Sequence, residues 1–196
     1  MNFEKLKDDV IKKLSDELSG DLLYHNVEHS EKVLAAAERI AASEGINGDD
    51  LILLKTAAVL HDCGFLRQYT NNEPVGCRIA MDILPDYGYS KEQIDKVCAL
   101  ILATAIPQKP ENKLSEILCD ADLDYLGCDE FFPIADSLRK ELESNMGKFT
   151  DADWLRFELD FLKQHNYFTE TQRKNREPKK QKIIKQLEDT LKKLEG

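Results

Sequence analysis

The residues with the clearest chemical potential are histidines and aspartates at three places along the chain. His29 comes early, the pair His61–Asp62 ends an apolar stretch, and Asp122 follows a second apolar run far downstream. Two imidazoles and two carboxylates form a full set of protein ligands for one divalent cation, here Mn, Fe, Ni, Co, Zn or Mg. A cation that prefers six ligands keeps positions open for water and a substrate oxygen. We therefore predict one metal site that activates water.

Two residues qualify for proton transfer at this site. His25 precedes His29 by four residues, and histidine side chains exchange protons near physiological pH. His25 is therefore the candidate general acid, which would donate to a leaving-group oxygen. Asp62 is predicted to accept the proton of the water in addition to its role as a ligand.

Two aspartates are candidates for the carboxylate ligand at the third of these places. Asp120 and Asp122 lie in one short acidic run, and alternate residues on a helix point about 200° apart. Only one of them can be the direct ligand, and the other caps the helix, orients a ligand or holds a water. Glu73 is a further carboxylate that could act as an alternative ligand.

The substrate-binding residues are not determined by any motif. Polar side chains near the predicted site opening or in the C-terminal helices are more often solvated surface groups than ligands for a phosphate. Those considered are Arg67, Gln68, Arg78, Thr104, Gln108, Lys109, Arg156 and Arg173.

A helical period of apolar residues dominates the sequence, and strand alternation is nearly absent. We expect an all-α fold, a single-domain helical bundle of roughly seven to nine helices, in which the ligands converge from different helices. Residues 1–168 are predicted to form the domain and residues 169–196 a basic C-terminal helical extension. The expected helices are 3–18, 30–43, 49–61, 74–84, 90–104, 114–126, 131–145, 151–164 and 179–194.

Composition and charge narrow the class of protein. Hydrophobic residues make up 42% and charged residues 33%, which is typical of a soluble globular protein. The apolar runs are too short to cross a bilayer, and the charged start carries no apolar signal region. We expect a cytoplasmic protein without a membrane partner, whose five cysteines are reduced.

The net charge of −10 is unevenly distributed. Residues 173–193 contain nine basic and three acidic residues, whereas the rest of the chain contains 18 basic and 34 acidic residues. Because an acidic body repels phosphates, duplex nucleic acid is not an expected partner. The oligomeric state is left open.

The arrangement resembles the HD-domain superfamily of metal-dependent phosphohydrolases, in particular its uncharacterised bacterial branch. Members carry a His, a His-Asp pair and a distant Asp on a helical core and mostly hydrolyse phosphate esters. The segment Tyr-His-Asn-Val-Glu-His at residues 24–29 is also similar to a motif of cyclic nucleotide phosphodiesterases, in which the first His donates a proton and the second binds metal. The resemblance covers about residues 20–130, gives these roles to His25 and His29, and favours Asp122 over Asp120 as the ligand.

The sequence departs from the superfamily pattern in one respect. Many two-metal members carry further histidines between the His-Asp pair and the last Asp, but none lies between His61 and Asp122. We therefore expect one metal ion, and a phosphomonoesterase or nucleotidase rather than a phosphodiesterase. The expected substrate is a small nucleotide or a related phosphorylated metabolite, hydrolysed by metal-activated water. The alternatives are a catalytically weak module that senses a nucleotide or regulates a partner, and a purely structural helical domain.

Overall fold

The computed structural model describes residues 1–195, and within this range the all-α fold class is confirmed. Three short 3-10 turns lie at Cys63–Leu66, Leu84–Tyr87 and Asp124–Gly127. The described residues form ten α-helices, one more than the upper end of the expected range. These are α1 (Phe3–Glu17), α2 (Val27–Ser43), α3 (Gly48–Leu60), α4 (Asn72–Ile83), α5 (Lys91–Ala103), α6 (Lys113–Asp122), α7 (Phe131–Met146), α8 (Asp151–Gln164), α9 (Glu170–Asn175) and α10 (Glu177–Glu195).

Capping side chains determine where several helices begin. The Oδ1 atom of Asn26 accepts a hydrogen bond from the backbone N–H of His29 at 3.1 Å. Helix α2 therefore begins at Val27 rather than at the predicted Ser30, because this cap satisfies one of the first free N–H groups. His29 consequently lies in the first turn of α2.

Two helix boundaries differ from the sequence-based expectation. Helix α6 ends at Asp122 and a separate 3-10 turn follows, although the apolar period predicted a helix to residue 126. The predicted helix 179–194 begins two residues earlier than expected, because α10 starts at Glu177 with Pro178 in its first turn, and the short helix α9 precedes it. Proline is tolerated there because the first N–H groups of a helix have no intrahelical partner.

The chain separates into two compact units, Met1–Asp122 and Leu123–Gly196. The predicted domain boundary between residues 168 and 169 stays a prediction. In the first unit α3 packs against α1, α2, α5 and α6. Its side chains are buried on several faces, as expected for a helix that is apolar all round. His61 follows the last residue of this central helix and is therefore buried in the first unit.

The turn after Asp62 is held closely against α4. Gly64 approaches the start of α4 so tightly that a Cβ atom there would lie 1.9 Å from the carbonyl oxygen of Asn72. Gly76, in the middle of α4, faces the backbone of residues 60–64 with ordinary spacing, because its Cβ would lie 3.5 Å from the carbonyl oxygen of His61. The backbone that follows His61 is therefore fixed by packing on α4.

The second unit has its own apolar core, which includes Leu126, Phe131, Leu162, Ile183 and Leu187. No helix in residues 1–195 is long and apolar enough to cross a membrane.

Candidate metal centre

Helix ends position the four predicted ligands. His29 lies in the first turn of α2, His61 and Asp62 follow the last residue of α3, and Asp122 is the last residue of α6. The carboxyl end of a helix carries partial negative charge, so the ends of α3 and α6 favour a cation between these side chains.

The four side chains converge. The Nε2 atoms of His29 and His61 lie 3.2 Å apart. An oxygen of Asp62 lies 3.3 Å from the first of these nitrogens and 3.1 Å from the second, and an oxygen of Asp122 lies 3.3 and 3.4 Å from them. Both imidazoles are buried, with 8% and 1% of their residue surface exposed. Two imidazoles and two carboxylates from three distant segments therefore face one another in the interior of the first unit.

The spacing fits a bound cation. Two ligand atoms about 2.1 Å from a metal ion and 90–110° apart are separated by about 3.0–3.4 Å, which matches the observed distances. The ligand atoms of His29, His61 and Asp122 form a group within 4.8 Å of one another that could hold a metal ion, and Asp62 joins it only through its contacts with the two imidazoles. The Oδ2 atom of Asp62 is buried and faces the Nε2 atoms of His29 and His61, as a carboxylate oxygen that shares a cation with them would be.

The hydrogen bond of the His61 ring sets which nitrogen faces the centre. Its Nδ1 atom lies 2.8 Å from the carbonyl oxygen of Ala58. Because a carbonyl can only accept, Nδ1 carries the proton, and in the neutral imidazole Nε2 presents its lone pair. A donor bond of this kind on the far nitrogen is typical of histidines that bind metal.

The carboxylates make the centre attractive to positive charge. Burial alone would lower the pKa of His61, but Asp62 and Asp122 outweigh it and hold that pKa well above its ordinary value. Burial alone would raise the pKa of Asp122, but its hydrogen bonds with His29 and His61 lower it to about 2. The carboxylate is therefore ionised near neutral pH. The field that favours protons on the imidazoles favours a metal cation in their place, so the two compete.

Aromatic rings hold His25 beside this centre. Its ring stacks on Phe65 with centroids 4.3 Å apart and an interplanar angle of 25°, and it meets the Tyr24 ring edge-on at 4.6 Å. The His25 and His29 ring centroids are 5.9 Å apart. The candidate general acid thus lies next to a predicted ligand in a defined orientation.

The two alternative carboxylates lie outside the group of close ligand atoms. Asp120 is fully buried on α6, two residues before Asp122. Glu73 is half-buried in the first turn of α4. Among the residues described by the structure, the group that could hold a metal contains neither of them. The division of roles between Asp120 and Asp122 stays a prediction.

The polar residues considered for substrate binding fall into several environments. Thr104 is buried and donates to the carbonyl of Ile101 at 2.8 Å. Arg156 and Arg173 belong to the second unit and form ion pairs or hydrogen bonds within it. Those exposed to solvent are Arg67, Gln68, Arg78 and Lys109.

Two contacts of the centre were not predicted from the sequence. Phe65 stacks on His25, and Gln108 donates a hydrogen bond to the carboxylate of Asp122 at 3.4 Å. Phe65 carried one weak signal, since it is an aromatic residue three positions after the His-Asp pair. No local pattern could connect Gln108 with Asp122, because they lie on different sides of a helix start.

Comparison with known proteins identifies the family. A model of the HD domain matches residues 26–124, which is just over half of the chain. The chain belongs to the HD-domain family. The matched range includes all four predicted ligands and begins one residue after His25. No curated protein matches the chain in sequence.

Two solved structures share the fold. One is a crystal structure of a predicted HD superfamily hydrolase from an uncultured Thermotogales bacterium, with 20% identity, coverage of 99% of both chains and a TM-score of 0.62. The other is Bacillus subtilis YpgQ in complex with ADP, with 18% identity, coverage of 97% of this chain and 98% of the other, and a TM-score of 0.66. At these identities the likeness concerns the fold alone.

Proposed function

We propose that this chain is a metal-dependent phosphohydrolase that acts on a small nucleotide or a related phosphorylated metabolite. The observation that carries the proposal is the convergence of His29, His61, Asp62 and Asp122. The two imidazoles lie 3.2 Å from each other and 3.1–3.4 Å from the two carboxylates. Membership of the HD-domain family supports a metal-dependent phosphohydrolase.

These four side chains would hold one divalent cation. Such a cation, when bound, lowers the pKa of a coordinated water and polarises a phosphoryl oxygen. The chain supplies the rest of the chemistry. Ala58 fixes the orientation of the His61 imidazole through its carbonyl, and burial of the cluster limits competition from bulk water.

Asp62 and His25 are assigned the proton transfers. Asp62 is assigned the acceptance of a proton from the attacking water because its carboxylate lies at the centre, with its buried Oδ2 3.1 Å from the Nε2 atom of His61. His25 is assigned the donation of a proton to the leaving-group oxygen. Its ring is held between Phe65 and Tyr24, which would reduce the entropy lost on reaching a productive orientation.

Two observations favour a small nucleotide as the substrate and a phosphomonoesterase or nucleotidase as the activity. The structural neighbour YpgQ was solved in complex with ADP, which motivates a nucleotide. The absence of histidines between His61 and Asp122 in the sequence favours a single metal ion, and hence a phosphomonoesterase or nucleotidase over a phosphodiesterase.

A screen of purified protein tests the proposal. Nucleoside mono-, di- and triphosphates and generic phosphate esters would be incubated with Mn, Mg, Ni, Co or Zn, and the products identified by chromatography. We expect turnover with at least one metal, lost on chelation and in the Asp122→Asn variant. Metal-loaded protein that binds ADP and turns over no substrate would instead indicate the nucleotide-sensing alternative.

A further inference from the structure

Gln108 connects two groups at the end of α6. It lies in the segment between α5 and α6, and its Nε2 atom lies 3.1 Å from the carbonyl oxygen of Cys119 and 3.4 Å from Oδ2 of Asp122. The carbonyl of Cys119 belongs to the last turn of α6, where helix carbonyls lack an intrahelical partner. One side chain therefore caps the helix and contacts its terminal carboxylate.

The orientation of the Gln108 amide follows from its partners. Cys119 offers a carbonyl oxygen and Asp122 an ionised carboxylate, and both can only accept hydrogen bonds. The NH2 group must face them, since the opposite orientation would bring three acceptors together. Oε1 then points away from this pair and is buried without a hydrogen-bond partner among residues 1–195.

The two oxygens of Asp122 are held from different sides. Oδ1 faces the Nε2 atoms of His29 and His61, while Oδ2 faces the amide of Gln108. Two restraints on opposite oxygens fix both the rotation and the position of a carboxylate. Partners of this kind orient metal ligands in proteins, and their removal typically weakens metal binding about 10–100-fold.

We propose that Gln108 is a positioning residue for the metal centre, acting through Asp122. The proposal rests on the proposed function, because it assigns Asp122 as a ligand. A role in packing alone is a poorer account, since an apolar side chain of equal volume would fill the same space without burying an unpaired amide oxygen.

The test is the affinity of the apo protein for Mn²⁺, measured from free Mn²⁺ by electron paramagnetic resonance. Gln108→Met keeps the length of the side chain but removes both hydrogen bonds. If Gln108→Met does not fold, Gln108→Ala serves as the second variant. We expect the dissociation constant to rise about 10–100-fold. The matched control is Gln172→Met, because Gln172 donates to Asp124 at 2.5 Å in the second unit while Arg176 still holds that carboxylate. The control should leave the affinity unchanged.

A double-mutant cycle separates positioning from general destabilisation. If Gln108 acts through Asp122, adding Gln108→Met to Asp122→Asn should weaken Mn²⁺ binding by less than about threefold further. If the two substitutions weaken Mn²⁺ binding additively, or if folded Gln108→Met binds Mn²⁺ as tightly as the wild type, the inference is overturned. The proposed function is unaffected by either result. Wild-type protein that binds Mn²⁺ no more tightly than Asp122→Asn overturns the proposed function itself.

Discussion

The same substitution at two glycines near the His-Asp pair should have opposite effects on stability. In Gly64→Ala the new Cβ would lie 1.9 Å from the backbone oxygen of Asn72, about 1.5 Å closer than ordinary contact. Because backbone atoms cannot move aside as a flexible side chain can, we expect a loss of about 3 kcal/mol or more. In Gly76→Ala the new Cβ would make ordinary contacts at 3.5–3.6 Å. Because Gly76 lies inside α4, replacing glycine by alanine should raise the free energy of unfolding by about 0.5–1 kcal/mol.

Urea unfolding followed by circular dichroism measures both effects, with Gly20→Ala as a control. A Cβ at Gly20 would meet nothing within 4 Å, so its stability should stay close to that of the wild type. Because Gly64 lies two residues after Asp62, Gly64→Ala should also weaken Mn²⁺ binding, whereas Gly76→Ala should not. Equal stability of the Gly64 and Gly76 variants would refute the close packing of this turn on α4.

Two further predictions concern protonation. Burial raises the pKa of Glu158 to about 7 from an ordinary 4.5, despite the opposing hydrogen bond with Trp154. The folded state therefore binds the proton of Glu158 more tightly than the unfolded state does. This difference stabilises the folded state by about 3 kcal/mol below pH 4.5, and the stabilisation is lost as pH rises through 7. Glu158→Gln should match the wild type near pH 4.5 and exceed it by up to about 3 kcal/mol at pH 8 in urea unfolding; the same difference at both pH values would refute this. His25→Gln should lower kcat by about 10²–10⁴-fold with unchanged metal content, and an unchanged kcat would remove His25 from the mechanism.

Local sequence patterns accounted for most of the helices and for the residues that meet at the centre. The apolar run before His61 predicted a buried helix, and α3 is the central helix of the first unit. Helix α5 begins at the predicted place, because a capping box joins Ser90 and Gln93 through two hydrogen bonds between residues close in sequence.

Features that depend on contacts between distant segments were missed. Helix α6 ends at Asp122 although apolar residues continue beyond it, and periodicity does not distinguish a 3-10 turn from a further helical turn. The hydrogen bond of Gln108 and the stacking of Phe65 on His25 join segments whose proximity arises only on folding. The sequence therefore predicted which side chains converge at the centre better than it predicted their contacts with Gln108 and Phe65.

The central claim is that His29, His61, Asp62 and Asp122 hold one divalent cation. The most direct measurement is equilibrium dialysis of the apo protein against Mn²⁺ followed by elemental analysis, with His61→Ala as the comparison. We expect about one ion per chain in the wild type and far less in the variant at the same free concentration. No bound ion in the wild type, or equal loading of both proteins, would contradict the account.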